Sequence, residues 1–147
     1  MTPDQATKLS KNNDPFERIK ELAASYKKGD QLPINIVRKD GSSGEFFSII
    51  LDDTNIGRFN FLESNNGITQ IEGINIHADF INKGVGKQVY IQINKYLNDL
   101  NGNVLGSAEK TSEEADNLWA SLYKDGLVEA IGKTETGKIL YKFKKNL

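Results

Sequence analysis

The sequence contains no cysteine, and this absence excludes several kinds of chemistry. Disulfides, a thiolate nucleophile and a zinc site built on sulfur are all ruled out. The single histidine and the carboxylates do not have the spacing of a metal site either. A reducing compartment is compatible with the missing cysteines, and we expect a cytoplasmic protein.

An excess of charge of one sign is also lacking. The 19 Lys and Arg residues nearly balance the 20 Asp and Glu residues, which gives a formal net charge of -1. No global field concentrates a phosphate polyanion on such a surface, so nucleic acid is not an expected partner. Neither an apolar run of about 18 residues nor the apolar core of a signal peptide occurs, so no membrane partner is expected.

The remaining composition is that of one ordinary folded domain. The chain has 147 residues, of which 37% are hydrophobic and 27% charged. A chain of this length buries roughly 70% of the surface that it exposes when unfolded. Residues 1–13 are polar and without period, which predicts a flexible lead-in, and residues 14–147 are predicted to form a single domain.

Three segments have the apolar period of a helix. Asp14 and Pro15 supply an N-cap acid and a proline at the first helical position, and Gly29 is the predicted stop. Thr111 and Glu114 form a capping box at the start of the last helix. The predicted helices span residues 14–26, 86–100 and 111–126.

Alternating apolar residues between turn clusters predict strands. Four of them in the first half of the chain, joined by turns, predict an antiparallel meander, and the first turn is predicted at residues 39–44. The strands are predicted from Pro33 to that turn and over residues 46–51, 56–62, 68–76, 103–107, 127–131 and 138–143.

The loop from Phe80 to Lys87 is the most informative segment, because a strand runs into a glycine-spaced loop that opens a helix. Gly84 and Gly86 permit close approach of a ligand, and the N–H groups of a first helical turn bind phosphate oxygens. Lys83 and Lys87 add positive charge. A tight strand-to-helix turn with two solvated lysines explains the segment equally well, whereas a dinucleotide fingerprint and a P-loop are excluded by the missing residues.

From residue 74 to residue 86 the string I-x-I-x-A-x-F-I-N-K-G-V-G resembles the signature of the GNAT N-acetyltransferases. The predicted order strand, helix, strand, helix, strand, strand over residues 68–143 is that of the GNAT core, and residues 115–127 are similar to the end of its fourth helix. The resemblance covers about 90 residues. It implies an α/β fold with a mixed sheet of the GNAT type and an extra N-terminal helix, with acetyl-CoA as cosubstrate.

The resemblance also implies a coenzyme site on the central strand and the loop after it. Ile81 stands where the family usually has Arg or Gln, but backbone N–H groups make most of the pyrophosphate contact in this family. The implied coenzyme residues are Ile74, Ile76, Asn82, Lys83, Gly84, Val85, Gly86 and Lys87.

The implied reaction is attack of an amine on the thioester of acetyl-CoA, which needs a base and an acid. Glu72, on the central strand with the same pleat parity as Gln70, is the candidate base. Tyr123 is the candidate acid, although it stands one residue later than the tyrosine of the family, and His77 is a further candidate. The alternatives are that Glu72 is a carboxylate that faces solvent, that Tyr123 is an aromatic residue at a helix end packed on the sheet, and that His77 is structural.

GNAT enzymes normally place two helices between their first and second strands, and here residues 39–44 alone separate them. The acceptor side is therefore predicted to be open, which suits a protein or peptide acceptor. Two hypotheses follow: an N-acetyltransferase, or a catalytically inactive GNAT-like binding or structural protein, as in compact phage-encoded members. An unrelated α+β domain with the same strand order is a third, and a homodimer is left open.

Overall fold

The computed structural model describes residues 15–27, 29–62, 64–80 and 84–145. Within these ranges the chain is a mixed α/β structure, as predicted, with no helix of the length and hydropathy that a bilayer crossing requires. The elements in chain order are α1 (Pro15–Ser25), β1 (Ile34–Gly41), β2 (Gly44–Leu51), β3 (Thr54–Phe61), β4 (Ile68–Ile76), a 3-10 helix (Ala78–Phe80), α2 (Val85–Asn101), β5 (Val104–Gly106), α3 (Glu113–Lys124), β6 (Val128–Lys133) and β7 (Ile139–Phe143).

All seven strands form one sheet in the order β1-β2-β3-β4-β5-β7-β6. The first four strands are the predicted antiparallel meander, β4 and β5 are parallel, and β7 is antiparallel to both of its neighbours. This arrangement places the parallel junction between β4 and β5 near the middle of the sheet.

The turn predicted at residues 39–44 is wrong in extent, because only residues 42 and 43 lie outside the two strands. The β1–β2 ladder continues through Asp40↔Glu45 and ends at Gly41↔Gly44. Arg38 Nε donates to Glu45 Oε2 at 2.6 Å across the two strands, and Gly44 has φ 116°, a value that favours glycine. Paired charges and a tight turn thus extend the hairpin through residues whose polarity suggested a loop.

Two predicted helix ends are also corrected. The first helix ends at Ser25, one residue before the predicted Tyr26, and Asp30 Oδ2 accepts from the Lys27 N–H at 2.8 Å in the turn that follows. Its predicted start at Asp14 lies outside the described residues. The N-cap of α3 is Ser112, whose hydroxyl accepts from the Ala115 N–H at 3.1 Å. Thr111, the predicted cap, instead donates its hydroxyl to the Asp116 side chain.

The main hydrophobic core lies between the helices and one face of the sheet, which we call the helix face. The aromatic rings of Phe47 and Phe61 contact Tyr96 of α2, with centroids 5.6 and 6.3 Å apart. Trp119 of α3 packs on Phe143 of β7 on the same face. Each such buried side chain contributes about 2–3 kcal/mol through the hydrophobic effect. The least exposed members are Phe59, Phe80, Phe143, Ile49, Leu51, Ile93, Leu97, Leu105, Leu122, Val85, Val89 and Val128.

The opposite face of the meander, which we call the open face, carries exposed side chains. Register places Val37 of β1, Arg58 of β3 and Glu72 and Asn75 of β4 on it, and all four are exposed. In the described part of the chain no helix covers them, because β1 and β2 are joined by a two-residue turn.

Candidate functional site

The two parallel strands at the centre of the sheet part after three residue pairs. The β4–β5 ladder runs from Ile68↔Val104 to Gln70↔Gly106, and β4 then continues to Ile76 while β5 ends. At the parting point the Gln70 amide donates to the Ser107 carbonyl at 3.1 Å. Beyond it, among the described residues, β4 has no strand on its β5 side. Unpaired main-chain groups on such an edge can bind an extended ligand that carries amides.

A β-bulge lies on β4 where the strands part. Asn60 pairs with Glu72 and Arg58 with Asn75, so Phe59 faces both Gly73 and Ile74. Gly73 has φ 59°, the left-handed conformation that a bulge of this kind requires. The extra residue reverses the alternation, so that Ile74 shares the helix face with Phe59 whereas Glu72 lies on the open face. A glycine inside a predicted strand was the sequence signal for this bulge.

The loop after β4 ends in an N-terminus that has no side-chain cap. Gly84 is the N-cap of α2, has φ 76° and makes no capping hydrogen bond through a side chain. No side-chain cap occupies the N–H groups of the first helical turn, which is the arrangement that the predicted anion site requires. Val85 is buried, so its side chain is not available to a ligand. The predicted site residues Asn82 and Lys83 lie outside the described residues.

Two other predicted loop residues make contacts with α3 that the sequence did not reveal. A Cβ on Gly86 would lie 2.7 Å from Leu118 Cδ1, so this glycine permits close packing of α2 against α3. Lys87 Nζ forms an ion pair with Asp125, the C-cap residue of α3. No local spacing connects positions 38 residues apart, which is why Asp125 was missed.

The three candidate catalytic residues occupy different places. Glu72 is exposed on the open face, whereas Tyr123 lies on α3, is 53% exposed and has its ring centroid 5.5 Å from that of Tyr141. His77 directly follows β4, and its N–H donates to the Ile56 carbonyl at 2.8 Å. Its Nδ1 accepts from the Asp79 N–H at 3.3 Å. The fold therefore separates Glu72 and Tyr123 by the sheet rather than joining them in one cluster.

A cleft of about 420 Å³ lies beyond the end of β5, under the first turns of α3. Its aromatic wall consists of Trp119 and Tyr141, whose ring planes differ by 4°. The side chain of Ser107, at the end of β5, lines the cleft and accepts from the Tyr141 N–H at 2.8 Å. The cleft is lined by Ser107, Ala108, Thr111, Asp116, Trp119, Thr136, Gly137, Lys138, Ile139 and Tyr141.

Asp116 and Lys138 are the charged residues that line this cleft. Lys138 Nζ lies 3.1 Å from Asp116 Oδ1, and the Thr111 hydroxyl donates to the same oxygen. Burial favours the neutral acid, but the hydrogen bonds from Thr111 and Lys138 and the charge of Lys138 outweigh it and lower the pKa of the Asp116 carboxyl. Asp116 is therefore ionised near neutral pH. Neither in this cleft nor in the other described residues is there a group of three His or carboxylate side chains that could hold a metal ion.

No family model matches the sequence, and no curated protein matches it. Solved structures do. A Klebsiella pneumoniae protein named as an acyl-CoA N-acyltransferase superimposes with a TM-score of 0.52 at 8% identity, over 76% of this chain and 97% of that one. The chain has the GNAT fold. A Bacillus subtilis acetyltransferase solved with CoA has a TM-score of 0.47 at 13% identity over 76% and 96% of the two chains, and a GNAT-family acetyltransferase from Staphylococcus aureus has 0.47 at 12% over 67% and 66%.

The GNAT fold confirms the predicted fold class and the predicted order of elements over residues 68–143. The two-residue turn between β1 and β2 is the main departure from the usual GNAT layout.

Proposed function

We propose that the protein is an N-acetyltransferase that transfers the acetyl group of acetyl-CoA to an amine. The observations that carry this proposal are the parted edge of β4, with its bulge at Gly73, and the uncapped N-terminus of α2 at Gly84, which is the next long element along the chain. The two features match two parts of coenzyme A. The strand edge can pair with the amides of the pantetheine arm, and the helix N-terminus can bind the negatively charged pyrophosphate.

The residues present fit this coenzyme through their main chain. Residues 71–76 of β4 would pair with the amides, with Ile74 and Ile76 beside them, and the N–H groups from Gly84 to Lys87 would hold the pyrophosphate. Acetyl-CoA supplies an activated acetyl group when it is bound. The Bacillus subtilis neighbour, which was solved with CoA, supports this choice of coenzyme.

The open face supports an acceptor that approaches from the side of the sheet opposite the helices. Glu72 is exposed there, next to the bulge, where its carboxylate would receive the amine proton directly or through water. Tyr123 lies on the helix side, where its hydroxyl would donate a proton to the departing sulfur, and His77 is a second proton acceptor near the end of β4. A face without covering helices suits a protein or peptide acceptor.

Coenzyme binding is the first test, by calorimetric titration of CoA and acetyl-CoA into the wild-type protein and two variants. Gly84→Glu introduces a side chain and a negative charge at the helix N-terminus. Gly67→Glu is the matched control, because Gly67 has φ 79° against 76° for Gly84 and neither Cβ position has a neighbour within 4 Å. Both variants therefore carry a similar conformational cost, about 1–2 kcal/mol.

We expect micromolar binding, about -8 kcal/mol, by the wild type and by Gly67→Glu, and none by Gly84→Glu. Absence of binding at millimolar coenzyme, or equal binding by both variants, would contradict the proposal. Thiol release from acetyl-CoA in the presence of amines then measures transfer.

A second candidate function is coenzyme or partner binding without turnover. The observation that favours it is the separation of Glu72 and Tyr123 on opposite faces, together with the pairing of Lys87 to Asp125. Such a protein would bind CoA and acetyl-CoA equally and release no thiol with any amine. The same titration followed by the thiol assay therefore separates the two functions.

A further inference from the structure

We propose that the open face binds an acidic side chain of the acceptor peptide at Arg58, next to the amine whose proton Glu72 receives. The inference rests on the proposed function and adds a specificity-determining residue that takes no part in the transfer step. The partner is an extended peptide segment that carries a Glu or Asp close to its acceptor amine.

Strand register places Arg58 close to Glu72 on the open face. Asn60 of β3 is directly opposite Glu72 of β4, and Arg58 lies two residues before Asn60 on the same face. Such diagonal neighbours are about 7–8 Å apart. Side chains two residues apart in an extended peptide are separated by a similar distance, about 7 Å. A peptide with its amine at Glu72 can therefore bring the side chain two residues away to Arg58.

The two arginines of the meander differ in their partners. Arg38 of β1 forms ion pairs with Glu45 Oε2 at 2.6 Å and with Asp40 Oδ1 at 3.5 Å. Arg58 is exposed, and among the described residues no carboxylate forms an ion pair with it. Its guanidinium carbon instead lies 4.5 Å from the centroid of the Phe46 ring. This cation–π contact restricts the position of the guanidinium and leaves N–H donors for a ligand.

The charges of the open face complement a segment that carries both signs. Glu72 is the single carboxylate that register places on this face of the described strands β1–β4, and it suits the ammonium. Lys39 lies opposite Phe46 on the same face and is exposed. The positive charges of Lys39 and Arg58 therefore lie on the two sides of one ring. A ligand carboxylate there gains charge-assisted hydrogen bonds, and the planar arginine fork matches its shape.

Two capped peptides test the proposal, Ala-Glu-Ala-Lys-Ala and Ala-Gln-Ala-Lys-Ala, which differ only in the charge two residues from the lysine. Each is titrated into the coenzyme-free full chain while backbone amide chemical shifts are followed by NMR. We expect both peptides to shift amides of β3 and β4 saturably. The Glu peptide should bind about threefold more tightly than the Gln peptide, as is typical of an exposed ion pair.

Arg58→Gln removes the guanidinium from the open face, and Arg38→Gln is the matched control because that guanidinium is already paired with Glu45. We expect Arg58→Gln to abolish the preference for the Glu peptide and Arg38→Gln to preserve it. Arg58→Lys keeps the charge without the fork and should retain part of the preference.

The proposal is overturned if the wild type binds the two peptides equally, or if neither shifts these amides at millimolar concentration. It is also overturned if the same amides shift when the protein alone is diluted, because that result assigns the open face to a second copy of the chain. Since no coenzyme is present, a failure of CoA binding is seen separately in the calorimetric titration and contradicts only the proposed function.

Discussion

The two halves of the sheet are held together in different ways. In the meander, β1 and β2 pair along their whole length, from Ile34↔Leu51 to Gly41↔Gly44. In the second half, β5 pairs with β4 at three positions and with β7 only at Gly106↔Lys142. Individual side chains complete that junction, with Asn94 bonding the Leu105 N–H, Ser107 bonding the Tyr141 N–H, and Gln70 bonding the Ser107 carbonyl.

This difference explains where the candidate site lies. Between two fully paired strands no main-chain group is left for a ligand, so the interior of the meander serves as a scaffold. Where the ladder stops, the same strand β4 acquires an edge inside the sheet, and side-chain hydrogen bonds hold β5 beside it. Specific hydrogen bonds therefore stabilise the opening between β4 and β5, which is not a defect in packing.

The largest expected effect tests the rigidity of the meander. In Gly57→Ala the new methyl group would collide with the Asn75 carbonyl oxygen and lie 3.1 Å from Ile76 Cα, both of them backbone atoms of β4. Since backbone cannot rotate away, we expect a loss of about 3 kcal/mol in the free energy of unfolding, measured with urea. Gly132→Ala on β6 is the control, because a Cβ there has no neighbour within 4 Å. Equal stability of the two variants would contradict the contrast between the halves.

A smaller effect tests the side-chain junction. Asn94 is 2% exposed, and its Oδ1 accepts from the Leu105 N–H at 2.9 Å. Asn94→Leu keeps the volume but leaves this buried N–H without its partner, which should cost about 2 kcal/mol. Asn117→Leu, at an exposed position on α3, is the comparison in the same urea titrations. If Asn94→Leu unfolds no more easily than Asn117→Leu, the junction does not depend on this bond.

The smallest effect concerns Lys87, which is held by Asp125 across the α2–α3 contact. Asp125→Asn removes the competing carboxylate, and we expect CoA to bind about threefold more tightly, as is typical of partly exposed ion pairs. Calorimetry with Asp99→Asn as the charge-matched control measures this change. Unaltered affinity in Asp125→Asn would mean that Lys87 does not reach the coenzyme.

Much of this fold was predictable from sequence because its elements have strong local signals. The strand Ile68–Ile76 was predicted with its observed bounds, and α2 differs from its prediction by one residue at each end. Periodicity and turn residues fix such elements locally. The first turn was misjudged because residues 39–44 are polar in a hairpin whose edge strand faces solvent, so polarity there does not separate strand from loop.

The candidate site was predictable only in its backbone part. Gly84 was expected to open a helix N-terminus and does so, since glycine spacing and the following apolar period are local. The partners Asp125 of Lys87 and Lys138 of Asp116 come from elements brought together by the tertiary fold. The bulge at Gly73 reversed the face of Ile74 relative to Glu72, which simple alternation could not anticipate.

The two-residue turn at residues 42 and 43 has a consequence for engineering. It lies at the tip of a hairpin whose residues from Gly41 to Glu45 are all exposed. Lengthening an exposed loop costs little, about 0.6 kcal/mol for each doubling of its length. A foreign peptide grafted between Ser42 and Ser43 would emerge at one border of the sheet, from which it can be led across the uncovered side of the meander. The chain is thus a small carrier with a built-in graft point.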